Sequence, residues 1–210
     1  MDAEDWDARY AAADLVWSAT PNLWVEQLVA PLTPGRALDI AAGEGRNAIW
    51  LVEQGWTAVA ADYSAVAVER AARLGRERLG AAADRLTAVV ADATASAPGV
   101  PPAYDLVLLC YLQLPGPQRR QALVRAVEAA APAGRILVIA HAARNLAEGY
   151  GGPQDPSVLF DPQDVVADLA GMPVTTELAQ VRVRTVETAE GSRDALDTVV
   201  VLRRDGTARG

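Results

Sequence analysis

The chain predicts an α/β fold, a mostly parallel sheet with helices on both faces that closes on an antiparallel pair. Strand and helix signals alternate along its first two thirds, the pattern of βα units in a sheet covered on both sides. The run Tyr104-Asp105-Leu106-Val107-Leu108-Leu109-Cys110 is almost unbroken apolar sequence, which suits a strand buried on both faces. Residues 36–47, RALDIAAGEGRN, read as a short apolar strand, a turn of small residues and the opening of a helix.

In chain order, an N-terminal helical segment covers Pro21 to Ala30. The first strand lies near Ala37 to Ile40, with its helix from Arg46 to Gln54 closed by Gly55. A second strand, Thr57 to Ala61, ends in Asp62. A helix from Ala65 to Leu79 follows, with Ser64 as N-cap and Gly80 as its stop. The third strand, Leu86 to Ala91, ends in Asp92, and the Pro- and Gly-rich stretch Ala95 to Pro102 is a loop. After the strand at 104–110 comes a helix from Pro117 to Ala131, with its proline where a missing donor costs little. Gly134 leads into a fifth strand, Arg135 to Ala140. Glu148 to Asp161 is turn-rich and long enough to be functional, and Asp161 caps a helix from Pro162 to Ala170. Val181 to Val186 and Thr198 to Arg203 are joined around Glu190-Gly191 tightly enough to be antiparallel.

Length and composition narrow the function. The 210 residues suit one domain, half of them are apolar, and no run approaches the roughly 20 apolar residues of a membrane helix. The acidic start MDAEDWDARY lacks the basic character of a signal or transit peptide, which predicts a cytoplasmic protein with no membrane partner. A net charge of −8 without a basic block argues against nucleic acid. All 19 basic residues are arginine, so chemistry that needs a lysine is excluded. One cysteine and one histidine cannot furnish a soft metal site, and no metal is expected.

The strand ends carry the chemistry. Asp39, Asp62 and Asp92 stand at the carboxyl ends of successive strands, the side on which open α/β sheets bind ligands. Gly43 and Gly45 let a ligand approach the backbone closely. The spacing fits a dinucleotide fingerprint poorly: starting at Gly43 puts Ala48 in the third small position but sets the turn late, and starting at Ala41 puts Arg46 there. His141 ends the fifth strand and opens onto the same cleft, where it could remove a proton from an acceptor.

The pattern Asp39-x-Ala41-x-Gly43-x-Gly45 resembles the first motif of class I S-adenosylmethionine-dependent methyltransferases, with alanine for the usual first glycine. The resemblance implies a Rossmann-like seven-stranded sheet whose last strand is antiparallel. It also implies S-adenosylmethionine as cofactor, in contact with Asp39, Ala41, Gly43, Gly45, Arg46 and Asn47 at the turn. Further contacts come from Asp62 and Tyr63 at the ribose and adenine, Asp92 and Ala93 at the adenine, and Cys110 and Tyr111 near the methionine. With WDARY, LVWSATPN and GEGRNAIWL, the chain looks like the tellurite-resistance and thiopurine branch of small methyltransferases. A single methyltransferase domain over 1–210 follows: a helical lid at 1–30, a cofactor core at 31–142, and a substrate loop with closing strands at 143–210. Trp6, Tyr10, Trp17, Tyr111 and Tyr150 would bound a small-molecule acceptor, with His141 as the candidate catalytic residue and a monomer or homodimer as the assembly. A non-catalytic S-adenosylmethionine sensor and an NAD(P)-dependent oxidoreductase are the rival readings, the latter lacking the Tyr-x-x-x-Lys pair.

Overall fold

The structure, a computed structural model, describes residue 7 and residues 20–95 and 104–206. Trp6, Tyr10 and Trp17 and most of the 95–102 loop lie outside the described residues. Seven strands form one sheet: β1 (Arg36–Ile40), β2 (Thr57–Asp62), β3 (Leu86–Val90), β4 (Tyr104–Cys110), β5 (Ala130–His141), β6 (Val174–Thr188) and β7 (Gly191–Arg204). Their order is β3-β2-β1-β4-β5-β7-β6. The first five strands run parallel, and β7 lies antiparallel between β5 and β6. The expected mostly parallel sheet with a closing antiparallel pair is thus present.

The helices are α1 (Leu23–Val29), α2 (Arg46–Glu53), α3 (Ala65–Leu79), α4 (Gly116–Ala129), the short α5 (Asn145–Glu148) and α6 (Pro162–Asp168). Alternation along the strands sorts the core onto the two faces. Leu38, Ile40, Val107 and Leu109 pack with Ala122, Leu123 and Ala126 of α4 and Val165 of α6. Ala37, Leu106 and Leu108 pack with Trp24 and Val25 of α1 and Trp50 and Leu51 of α2 on the other. Ser64 caps α3, its hydroxyl accepting from the Ala67 N–H at 3.1 Å. No helix among the described residues is long and apolar enough to cross a membrane.

The larger departures from the sequence reading lie in the second half of the chain. α4 ends at Ala129, and the next residue already pairs with Tyr104, so β5 begins five residues earlier than Arg135. The 148–161 stretch carries a 3-10 turn at Pro156–Val158 and follows a helical turn at Asn145–Glu148. β6 and β7 run to 15 and 14 residues because they pair from Val174↔Arg204 to Thr188↔Gly191. Much of β6 is solvent-facing and polar, so its ends carry no apolar signal.

Candidate active site

The carboxyl ends of β1 and β2 meet at the residue 41–45 turn. Ala41, Gly43 and Gly45 all take positive φ, at 57°, 55° and 80°, so the bend is left-handed three times in five residues. An Ala41 in that region costs about 1 kcal/mol. The Ala42 N–H donates to the Ala61 carbonyl at 3.0 Å, fastening the bend to β2. Gly45 also has a packing role: a Cβ there would lie 2.9 Å from Ala71 Cβ, so its bareness lets α3 pack against the bend. Glu44, almost fully buried, accepts from Arg70 of α3 at 3.0 Å and ties the same two pieces.

Asp39 is 1 % exposed, and neither carboxylate oxygen has a hydrogen bond of normal geometry. Burial raises its pKa from 3.8 to about 7, against the opposing pulls of the Arg46 guanidinium and the Ala48 N–H. A buried, unpaired carboxylate is costly unless something cationic or hydrogen-bonding meets it. Asp62 is also buried but is engaged. Its Oδ2 accepts from the Gly43 N–H at 2.8 Å and its Oδ1 from the Ser64 N–H at 3.0 Å. Burial raises the Asp62 pKa and those two donors hold it back. Tyr63, next in sequence, is half-buried. Asp7 reaches this rim: its carboxylate accepts from the Ser64 hydroxyl and from the Val66 N–H.

Asp92 stands at the end of β3 as expected but is exposed, with Oδ1 accepting from both the N–H and the hydroxyl of Thr94 at 2.8 Å. Ala93 packs against the α4-side core. Asn47 turns its side-chain oxygen to the Asn22 N–H at 2.9 Å, linking α2 to the start of α1. The half-buried Cys110 has its thiol pKa raised well above the ordinary value by burial and by the charge of Asp39, which leaves it no thiolate for nucleophilic work.

Beyond β4 the site continues into a polar hub that the sequence did not disclose. Asp197 on β7 is fully buried. Its Oδ2 accepts from Trp24 Nε1 at 2.9 Å, Tyr111 Oη at 3.1 Å and Arg184 Nε at 2.7 Å. Its Oδ1 accepts from Arg184 Nη2 at 3.3 Å and lies 3.7 Å from His141 Nδ1. Burial works against the Arg184 charge, but the bond to Asp197 outweighs it and holds the guanidinium more firmly protonated than usual. Tyr111 has φ 58° and accepts from Asn22 Nδ2 at 3.2 Å. Burial and the Asp197 charge raise its phenol pKa. The Tyr111 and His141 rings lie 4.9 Å apart, tilted by 35°. Burial lowers the His141 pKa, so the imidazole is neutral at neutral pH. Tyr150 is exposed on the 149–155 loop, while Gly152 of that loop lies flat on the histidine: a Cβ at Gly152 would fall 2.8 Å from the ring.

The structure therefore brings together Asp39, Ala41, Gly43, Gly45 and Asp62 at one bend, and Tyr111 with His141 at the neighbouring strand ends. Asn22, Trp24, Arg184 and Asp197 were missed. Asp197 did leave a trace, as a carboxylate inside the apolar run Ala195-Leu196-Asp197-Thr198-Val199, the same anomaly that marks Asp39 in RALDI.

The sequence pattern of the family described as a methyltransferase domain matches residues 38–136. A search of curated proteins finds no match. Among solved structures, one solved for the conversion of a disulfide bond into a thioacetal group during echinomycin biosynthesis is 21% identical. It covers 99% of this chain and 94% of its own, with a TM-score of 0.76. Magnesium protoporphyrin IX methyltransferase from Synechocystis PCC 6803, with bound S-adenosylhomocysteine, is 16% identical over 95% of this chain and 83% of its own, at a TM-score of 0.66. The glycopeptide N-methyltransferase MtfA complexed with S-adenosylmethionine is 18% identical over 87% of this chain and 86% of its own, at 0.65. A methyltransferase-domain pattern thus matches just under half of this chain, and the solved structures share its fold.

Proposed function

We propose that the protein methylates a small-molecule acceptor, which meets the cofactor at the carboxyl ends of β4 and β5. The observation that carries this reading is Asp39. Its buried carboxylate has no hydrogen bond of normal geometry, and the cationic methionine end of S-adenosylmethionine adds to the partial pull of the Arg46 guanidinium. An NAD(P) pyrophosphate would set anion against anion at the same place. The sulfonium supplies an already activated methyl group. The protein's share is to orient the acceptor and exclude water, which together lower such barriers by several kcal/mol.

In this reading Ala41, Gly43, Gly45, Arg46 and Asn47 shape the bend that carries the cofactor. Asp62 and Tyr63 face its ribose and adenine, Asp92 and Ala93 its adenine edge, and Cys110 and Tyr111 its methionine end. Tyr111, Tyr150 and His141 border the acceptor. The contact of Asp7 with Ser64 supports residues 1–30 as a cover over that rim. The echinomycin and glycopeptide structures support an acceptor of low molecular weight, and the motif resemblance supports the tellurite-resistance and thiopurine branch. The test is calorimetry with S-adenosylhomocysteine and with NADH, followed by methyl transfer from S-adenosylmethionine to a panel of thiols, phenols and amines. S-adenosylhomocysteine binding that survives Asp39→Asn undiminished, or preferential binding of NADH, overturns the assignment.

A further inference from the structure

The antiparallel register of β5 with β7 sets His141 directly opposite Asp197, so the two side chains leave the sheet on the same face as a cross-strand pair. On the other flank of β7, Arg182 is the residue opposite Asp197, and Arg184 stands one same-face step further along β6. One buried carboxylate and two half-buried basic groups are thereby delivered to one point by sheet geometry alone. Within it the work is unevenly shared. Asp197 Oδ2 is saturated by Trp24, Tyr111 and Arg184, whereas Oδ1 has a single long bond to Arg184 and faces His141 Nδ1, itself buried without a partner. At 3.7 Å the gap is beyond a hydrogen bond, and less than 1 Å of approach closes it. The ring is confined between Tyr111 and the bare Cα of Gly152.

We infer that Asp197 is a positioning residue that holds His141 as a neutral imidazole with its proton on Nδ1, leaving Nε2 bare to take a proton from the acceptor. This rests on the reading of the β4 and β5 ends as the acceptor side, and it names the acceptor class: a nucleophile that carries a proton it must lose, a thiol or a hydroxyl. As the acceptor's lone pair bonds to the methyl carbon, the carbon–sulfur electron pair returns to sulfur, leaving a neutral thioether. The acceptor's proton passes to Nε2. Asp197 then faces an imidazolium, and its part is to orient the ring. The same division of labour between an orienting carboxylate and a proton-accepting histidine operates in serine proteases.

Because His141 is the sole histidine, its ring gives one set of nitrogen resonances in the intact protein. In ¹⁵N-labelled protein near neutral pH, Nδ1 is expected at the protonated position and Nε2 at the unprotonated one. The reverse assignment overturns the inference without any variant being made. In Asp197→Asn the amide oxygen is retained by the three donors at the Oδ2 position, which turns the amide N–H₂ toward Nδ1, so the tautomer should reverse. A variant that folds and keeps the parent tautomer also overturns it. Calorimetry with S-adenosylhomocysteine on the same samples separates the two proposals: loss of cofactor binding by the parent protein defeats the function above, while intact binding with the wrong tautomer defeats only the role of Asp197.

Discussion

Asp39 and Asp197 are both carboxylates set in apolar strands, and their surroundings give them opposite properties. Asp197 accepts four bonds, two of them from the Arg184 guanidinium; Asp39 accepts none of normal geometry, and burial outweighs the Arg46 charge and pushes it to a pKa of about 7. The folded state therefore holds a proton on Asp39 that the unfolded chain releases near 3.8, and ligand-free stability falls as pH rises from there through about 7. At roughly 1.4 kcal/mol per pKa unit, the ionised form costs on the order of 4 kcal/mol in the empty pocket. Asp39→Asn should accordingly raise the Tm of the ligand-free protein above that pH range and leave it unchanged below it, as thermal melts across pH would record. A cation at the site favours the carboxylate, so calorimetry of S-adenosylhomocysteine binding in buffers of different ionisation heat should register proton release below about pH 7. Gly45→Ala combines positive φ with the Ala71 contact and should cost about 2 kcal/mol in urea unfolding, part of which Ala71→Gly restores by removing the clash but not the strained φ. The acid at 39 was legible because a charge within an apolar strand is conspicuous. Its solitude was not, since that depends on what β2 and α2 bring alongside.

At the scale of elements, boundaries were readable wherever a residue closes them chemically. α3 spans 65–79 as expected because Ser64 caps one end and Gly80, at φ 52°, stops the other. Ser64→Ala should lower stability by about 1 kcal/mol through the lost cap, and it also deprives Asp7 of one of its two bonds at the end of β2. Limited proteolysis should then cut earlier near the N-terminus of the variant than of the parent. The loop over His141 is tethered in the same fashion. Asn145 donates to the Gly151 carbonyl at 2.9 Å and accepts from the Leu196 N–H at 2.7 Å, so Asn145→Ala should free the loop and cost about 2 kcal/mol by orphaning a buried N–H. Asx anchoring across 51 residues leaves no local pattern, whereas a cap three residues away does. The long hairpin was underestimated for a related reason, because strands that alternate toward solvent resemble loops except where they cross the core.

For the whole molecule, the order β3-β2-β1-β4-β5-β7-β6 places β4 and β1 at the centre, with Leu106, Val107, Leu108 and Leu38 essentially inaccessible. β7 pairs with β5 only from Arg203 to Asp197, so the part of the hairpin between Arg182 and Leu196 has support on one side alone. Hydrogen exchange by mass spectrometry should show Leu106–Leu109 amides last to exchange and Thr185–Asp194 among the first of the strand amides. The parallel core and the antiparallel close were visible in the alternation of signals, but the slot β7 occupies was not, since sequence proximity says only that β6 and β7 adjoin. That slot also shapes the birth of the protein. β7 is made after the six other strands of this sheet yet is an interior plank of it, so a nascent chain stalled before residue 191 has the 41–45 bend but still lacks Asp197, and its β5 flank stays open to chaperones until β7 is synthesised.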